Sequence, residues 1–189
     1  MLLSDLIPLS LFTTYAIITI HPHQTAPLLG PIISRLCSLT YHAFQPTYPA
    51  LLYLDYIGIC AMVFSVPAAC SVAAEAWNCH ICEPFNAGVA LAALITIAVL
   101  ATHAAGKINH FPPEHAVVAL GLVGNLPVVA VVLNPSAPTT TRGLFAFSLL
   151  AFATGYFVLK PRHHVLWHWA AAAAQAAGVA GVQTGGRPM

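Results

Sequence analysis

Residues 51–74 read LLYLDYIGICAMVFSVPAACSVAA, twenty-four positions with one charged side chain, Asp55, near the start. As a helix this stretch is about 36 Å long at 1.5 Å per residue. A bilayer hydrocarbon core is about 30 Å thick and is crossed by about 20 apolar residues. The stretch therefore reads as a membrane-spanning helix. Six more runs have the same character, over residues 2–20, 26–44, 87–106, 116–133, 143–159 and 163–182. The separators are short and rich in turn residues: His21-Pro22-His23-Gln24, Gln45-Pro46-Thr47-Tyr48-Pro49, residues 75–86, 107–115 and 134–142, and Lys160-Pro161-Arg162. Proline lacks an N–H, and asparagine bonds its own backbone, so both break helices at such places. The expectation is an all-α protein, a bundle of seven transmembrane helices. It forms a single domain over 1–182 with a short C-terminal tail at 183–189, since the loops leave no room for a second domain.

Composition agrees. Of 189 residues, 59% are hydrophobic and 6% are charged, where a soluble domain carries about 25% charged residues. Mean hydropathy is +0.81. Six Lys and Arg with five Asp and Glu cannot clothe a soluble surface. Disorder is excluded by the apolar content. With no basic patch, nucleic-acid binding is excluded too. The partner expected from composition is the lipid bilayer.

The first run has Asp5 where a signal peptide has a basic segment, so it is expected to stay as a helix. No glycosylation sequon occurs, because Pro135 follows Asn134, and neither end carries a lipidation signal. With seven spans, Lys107, Lys160 and Arg162 share the side of the N-terminus, and Arg142 and Arg187 lie opposite. Positive charge favours the cytosolic side, which places the N-terminus in the cytosol and the C-terminus outside, in the plasma membrane or an endomembrane. Cys37, Cys60 and Cys70 lie in apolar runs and read as small buried hydrophobes. Cys79 and Cys82 form a lone C-x-x-C, compatible with a polar loop, a local disulfide or half a zinc site; it is not a haem attachment, because Glu83 follows.

Ionisable residues within spans are costly and therefore point to function. His42 closes the second span, Asp55 opens the third, and His164 and His168 open the seventh. All four fall at one end of a seven-helix bundle. His164-Val165-Leu166-Trp167-His168 is H-x-x-x-H, which sets two imidazoles on one helix face, one turn apart. The same spacing places Ser38 beneath His42. Three histidines with a fourth position open to water are the donor set of a catalytic zinc, and a nearby carboxylate can orient that water or take its proton. Each residue also has a plainer reading. The histidine pair fits a solvated helix end, Asp55 a dipole-stabilised helix start, and Ser38 a hydroxyl bonded to its own backbone. Arg35 lies seven residues before His42 on nearly the same stripe. It either faces a polar cavity and binds a lipid headgroup or carboxylate there, or snorkels between helices. His103, His110 and His115 read as loop or cavity-rim residues. His163 is turned about 100° from His164, and His21, His23 and His80 belong to the opposite end. Trp77 and Trp169 are candidate interfacial anchors, with packing inside the bundle as the alternative for Trp169.

Ser-x-x-x-His on the second helix, Asp at the start of the third and His-x-x-x-His on the seventh resemble the signature of the CREST superfamily. That group holds alkaline ceramidases, progestin and adiponectin receptors, haemolysin III proteins, and the post-GPI-attachment lipases with the related myomaker. Leu36-Cys37-Ser38-Leu39-Thr40-Tyr41-His42-Ala43, His163-His164-Val165-Leu166-Trp167-His168 and Phe111-Pro112-Pro113 look like the myomaker-like branch, which is slightly favoured. Leu54-Asp55-Tyr56-Ile57-Gly58-Ile59 looks like the adiponectin receptors, and alkaline ceramidases also carry Trp between their last two histidines. The resemblance implies that His42, His164 and His168 ligate Zn²⁺ and that Ser38 and Asp55 hold the metal's water. The activity it implies is zinc-dependent hydrolysis of a lipid amide or ester, with a membrane lipid as substrate or ligand. The alternative is a non-enzymatic receptor or a myomaker-like membrane-remodelling factor whose zinc is structural. The ectodomain of the hormone receptors is not expected here, which speaks against the receptor reading, and only Asp5 stands near the acidic calcium site of ceramidases.

Overall fold

A computed structural model describes residues 2–18, 22–44, 49–77, 82–106, 112–160 and 163–185. Seven helices occupy nearly all of them: α1 Leu2–Ile18, α2 Pro22–Phe44, α3 Leu52–Trp77, α4 Cys82–Ala104, α5 Pro113–Leu133 and α6 Thr139–Leu159, and α7 His164–Gly185. A 3-10 turn at Pro49–Leu51 leads into α3. No strand occurs among the described residues, so the all-α expectation holds.

The helices reach into the expected separators. α2 starts on Pro22 and α5 on Pro113, while Pro138 caps α6. At the first helical position the missing proline N–H would have no partner anyway, and its fixed φ suits the helix. The prolines that end one helix thus begin the next. α4 starts at Cys82, which moves that cysteine from the expected polar loop into a first helical turn; Cys79 lies outside the described residues. α5 is broken at Asn125 into Pro113–Gly124 and Leu126–Leu133. Pro127 removes a backbone donor there, and Asn125 Nδ2 donates to the Gly121 carbonyl at 2.6 Å. α6 ends in a π-turn over Gly155–Leu159, in which the Lys160 N–H reaches the Gly155 carbonyl at 2.8 Å.

Consecutive helices pack in sequence, and α7 closes the circuit against α1, α2 and α3. α2 and α3 approach closely at Gly58, where an added Cβ would sit 2.8 Å from the Cys37 Cβ and 3.1 Å from the Ser34 Cα. α6 and α7 do the same at Gly155, 2.7 Å from the Ala170 Cβ. Small residues let backbones approach without a hydrophobic drive between helices. One apolar cluster joins α3, α4 and α5 through Tyr56, Cys60, Val89, Leu100 and Leu120. A second joins α5, α6 and α7 through Val128, Val131, Phe145 and Val182. Cys37 and Cys60 are buried free thiols, as expected; the side chain of Cys70 is outside the described set.

Leu11, Leu29, Leu91, Leu94, Leu133 and Leu150 point outward, while Asp5, Arg35, Ser38 and His168 are buried. An apolar exterior around an ionisable interior is the arrangement that lipid, not water, stabilises. Among the described residues, α4 over Ala87–Ala104, α5 and α6 are each long and apolar enough to cross a membrane.

Candidate metal centre

α2 delivers His42 in its last turn, and α7 delivers His164 and His168 in its first two. Because these helix ends meet, the three imidazoles converge. One nitrogen from each lies within 4.8 Å of the others, and the ring centroids are 4.8–5.6 Å apart. A tetrahedral zinc with Zn–N near 2.0–2.1 Å separates its nitrogens by about 3.4 Å, so the rings need only draw together to share an ion. The group could hold a metal. Its donor chemistry fits, and one observation supports the fit directly. His168 is 5% exposed, yet its Nε2 has no hydrogen-bond partner among the described residues.

The other face of His168 is fully engaged. Asp5, 0% exposed on α1, places Oδ1 2.9 Å from His168 Nδ1. The same oxygen accepts from Arg35 Nη1 at 3.2 Å. Arg35 Nη2 donates to the His168 carbonyl at 3.2 Å, and Arg35 Nε and Nη2 donate to Gln175 Oε1 at 3.3 and 3.2 Å. Arg35 is 3% exposed, so it does not snorkel. It does take a carboxylate, but that carboxylate is Asp5 of its own chain. Three helices, α1, α2 and α7, are thereby joined behind the histidine cluster. Sequence reasoning missed Asp5 in this role. The available signal was a lone acid inside an otherwise apolar run, read above only as evidence against a signal peptide and as a remnant calcium-site residue.

Ser38 lies one turn before His42 and is buried, with no hydrogen-bond partner for its hydroxyl among the described residues; Asp55 stands in the first turn of α3. Ser38, Asp55, His164 and His168 line the polar end of a cavity of about 420 Å³. Glu114 and Lys160, neither singled out from the sequence, line it as well. The π-turn sets Lys160 just past α6, with its Nζ 4.6 Å from the centre of the Tyr156 ring. Burial pushes the Lys160 ammonium down from its ordinary value, and the nearby carboxylates of Asp55 and Glu114 oppose that. Away from the polar end the lining is Ile59, Val117, Leu149 and Phe152. Two further lining residues, Leu122 on α5 and Phe157 on α6, are 61% and 63% exposed. The cavity therefore opens sideways between α5 and α6 through an apolar rim.

The remaining candidates fall elsewhere. His103 hydrogen-bonds the Tyr53 hydroxyl at 2.5 Å and does not line the cavity, and neither does exposed His115. His163 is exposed just before α7, in keeping with its exclusion as a ligand. His21, His80 and His110 lie outside the described residues, as do the side chains of His23 and Trp77. Trp169 is exposed, which favours the anchoring alternative over packing inside the bundle.

Comparison of the chain with protein-family models, with curated proteins and with solved structures returns no match.

Proposed function

We propose that this protein is a multi-pass membrane hydrolase of lipid amide or ester bonds, with seven spanning helices and an intramembrane Zn²⁺ held by His42, His164 and His168. One observation carries the reading: a three-histidine cluster stands at the polar end of an apolar cavity that opens between two membrane-length helices. That geometry suits a substrate with a polar carbonyl group and an aliphatic chain, delivered from within the bilayer. The helix motifs shared with the CREST superfamily support membership in it, with the myomaker-like branch slightly favoured. The positive-charge count supports a cytosolic N-terminus.

Zinc bound there supplies a water of pKa about 7 and polarisation of a carbonyl. The chain's residues do the rest. Asp55, beside the cluster, takes the proton of the attacking water as general base. The Ser38 hydroxyl, which lines the same cavity as Asp55 and is not engaged by any described residue, orients that water. The apolar walls of α5 and α6 admit the acyl chain and exclude bulk water from the polar end. Arg35 keeps its place behind the cluster and does not reach substrate.

A second reading rests on the same histidines joining the end of α2 to the start of α7. In a receptor or membrane-remodelling factor, that link alone would be the purpose of the metal. The two readings separate on purified protein in detergent. Metal content by mass spectrometry should give about one zinc per chain, lost in His164→Ala/His168→Ala. Release of fatty acid from acyl-amide and acyl-ester lipids should require the metal and fall with Asp55→Ala. Metal without hydrolysis across both lipid classes selects the structural reading, and folded protein without metal removes both.

A further inference from the structure

We infer that Asp5, on the first helix, is a positioning residue that fixes the tautomer of His168 and so keeps Nε2 bare and aimed at the metal position. The inference rests on the histidine cluster being a metal site and adds a third helix, α1, to α2 and α7 in its construction.

The argument is one of donors and acceptors. A neutral imidazole carries one N–H, and the nitrogen that bears it is decided by what each nitrogen faces. His168 Nδ1 faces two groups with opposite demands. Asp5 Oδ1, at 2.9 Å, accepts only, and requires an N–H at Nδ1. Arg35 Nη1, at 3.5 Å, donates only, and would require a lone pair there. The Asp5 contact is the shorter, and a carboxylate set against a bare ring nitrogen at 2.9 Å would be repulsive. Nδ1 therefore donates to Asp5, and the lone pair lies on Nε2. That is the atom with no partner among the described residues. Arg35 meanwhile spends its own donors on Asp5, Gln175 and the His168 carbonyl, which locks the carboxylate in place. Fully buried, the Asp5 carboxylate is stabilised by two charge-assisted bonds, which are stronger than neutral ones.

The arrangement has a marked asymmetry. In Asp5→Asn the single amide oxygen is claimed by Arg35, an obligate donor at 3.2 Å, and the amide NH2 turns to the ring, so Nδ1 faces donors only. The ring would then place its proton on Nε2 and close that nitrogen to a metal. A carboxylate or carbonyl behind a metal-binding imidazole typically accounts for 10–100-fold in metal affinity, and here the tautomer switch acts in the same direction. Gln175 serves as the internal control, because it holds the same guanidinium and does not touch His168.

The test is zinc affinity of the full-length protein in detergent, measured by competition with a chromophoric chelator. Wild type, Asp5→Asn and Gln175→Leu are compared. The expected result is a loss of about 10–100-fold in Asp5→Asn, with Gln175→Leu within about twofold of wild type. Equal losses in the two variants would show that Asp5 only anchors Arg35, and an unchanged affinity in Asp5→Asn would show that it does not act on His168; either overturns the inference. A wild type that binds no zinc overturns the metal site itself, and this inference with it. Should Asp5→Asn fail to fold, the wild-type protein decides the matter. Long-range ¹⁵N–¹H couplings of histidine-labelled, metal-free protein should report Nδ1–H at His168, and an Nε2–H ring there would sink the assignment.

Discussion

The side-chain amide of Gln175 donates to the thioether sulfur of Met62, and these two residues stand at the neck between two cavities. Both line the larger cavity below the histidines and also a second one of about 100 Å³ bounded by Val63, Phe145, Ser148 and Gly178. Arg35 holds Gln175 from the other side, so the neck is tethered to the polar end of the site. Taken from water, each further buried methylene is worth about 0.8 kcal/mol; taken from detergent or lipid, whose tails are as apolar as the cavity wall, it gains less. Along a series of saturated acyl chains, affinity should climb by less than about fourfold per carbon and level off where the chain end meets Met62. In Met62→Ala the climb should continue for several carbons more. Isothermal titration of a fatty-acid series against both proteins checks this, and identical plateaus would refute it.

Asp55 should matter to the reaction and not to the metal. Loss of a positioned general base typically costs about 10²–10⁴-fold in rate. Asp55→Asn should show a fall of that order in lipid hydrolysis while keeping about one zinc per chain. If the zinc were lost together with activity, Asp55 would be a ligand.

Joining α2 to α7 through a metal should also stabilise the folded chain. A ligand bound only to the folded state adds about 2.7 kcal/mol at a hundredfold excess over its Kd. Zinc at that excess should raise the thermal midpoint of the metal-free protein, a chelator should reverse the gain, and His42→Ala should abolish it. The thermal transition can be followed in detergent by far-ultraviolet circular dichroism, since the described residues are nearly all helical.

Two glycines of α6 should respond oppositely to alanine. At Gly155 the new methyl would meet the Ala170 Cβ at 2.7 Å and the Trp167 ring at 3.0 Å, and overpacking of this kind costs about 1–3 kcal/mol. At Gly143 nothing lies within 4 Å, and relief of glycine's flexibility within a helix gains about 0.5–1 kcal/mol. Gly155→Ala should therefore lower the thermal midpoint and shift Trp167 fluorescence, while Gly143→Ala should leave the fluorescence alone and hold or raise the midpoint.

What could be read in advance divides along a physical line. The apolar runs and the convergence of His42, His164 and His168 were legible, because both follow from local spacing and from which helix ends share a side. The helix boundaries were less so. Pro22 and Pro113 carry the same missing N–H whether they end one helix or begin the next, and composition does not tell these apart. Asp5 was the larger omission. Its partners, Arg35 and His168, sit on two other helices, and no periodicity within α1 announces them. Glu114 and Lys160 fall in the expected separators, and only the packing of α5 and α6 shows that they edge the cavity. Arg35 was placed on the correct stripe, but its partner proved to be internal.

The buried Asp5–Arg35 pair also bears on how the chain is made. These two residues come from the first two helices, so they are synthesised early and can meet as a hairpin before the rest exists. An arginine alone among apolar helices is costly, and one already paired with a carboxylate is less so. His164 and His168 are made much later, on α7. The histidine cluster can form only when α7 docks on that waiting pair. Any metal those three histidines take is therefore captured after the helices before α7 exist, and a chain that stops short of α7 cannot assemble the site.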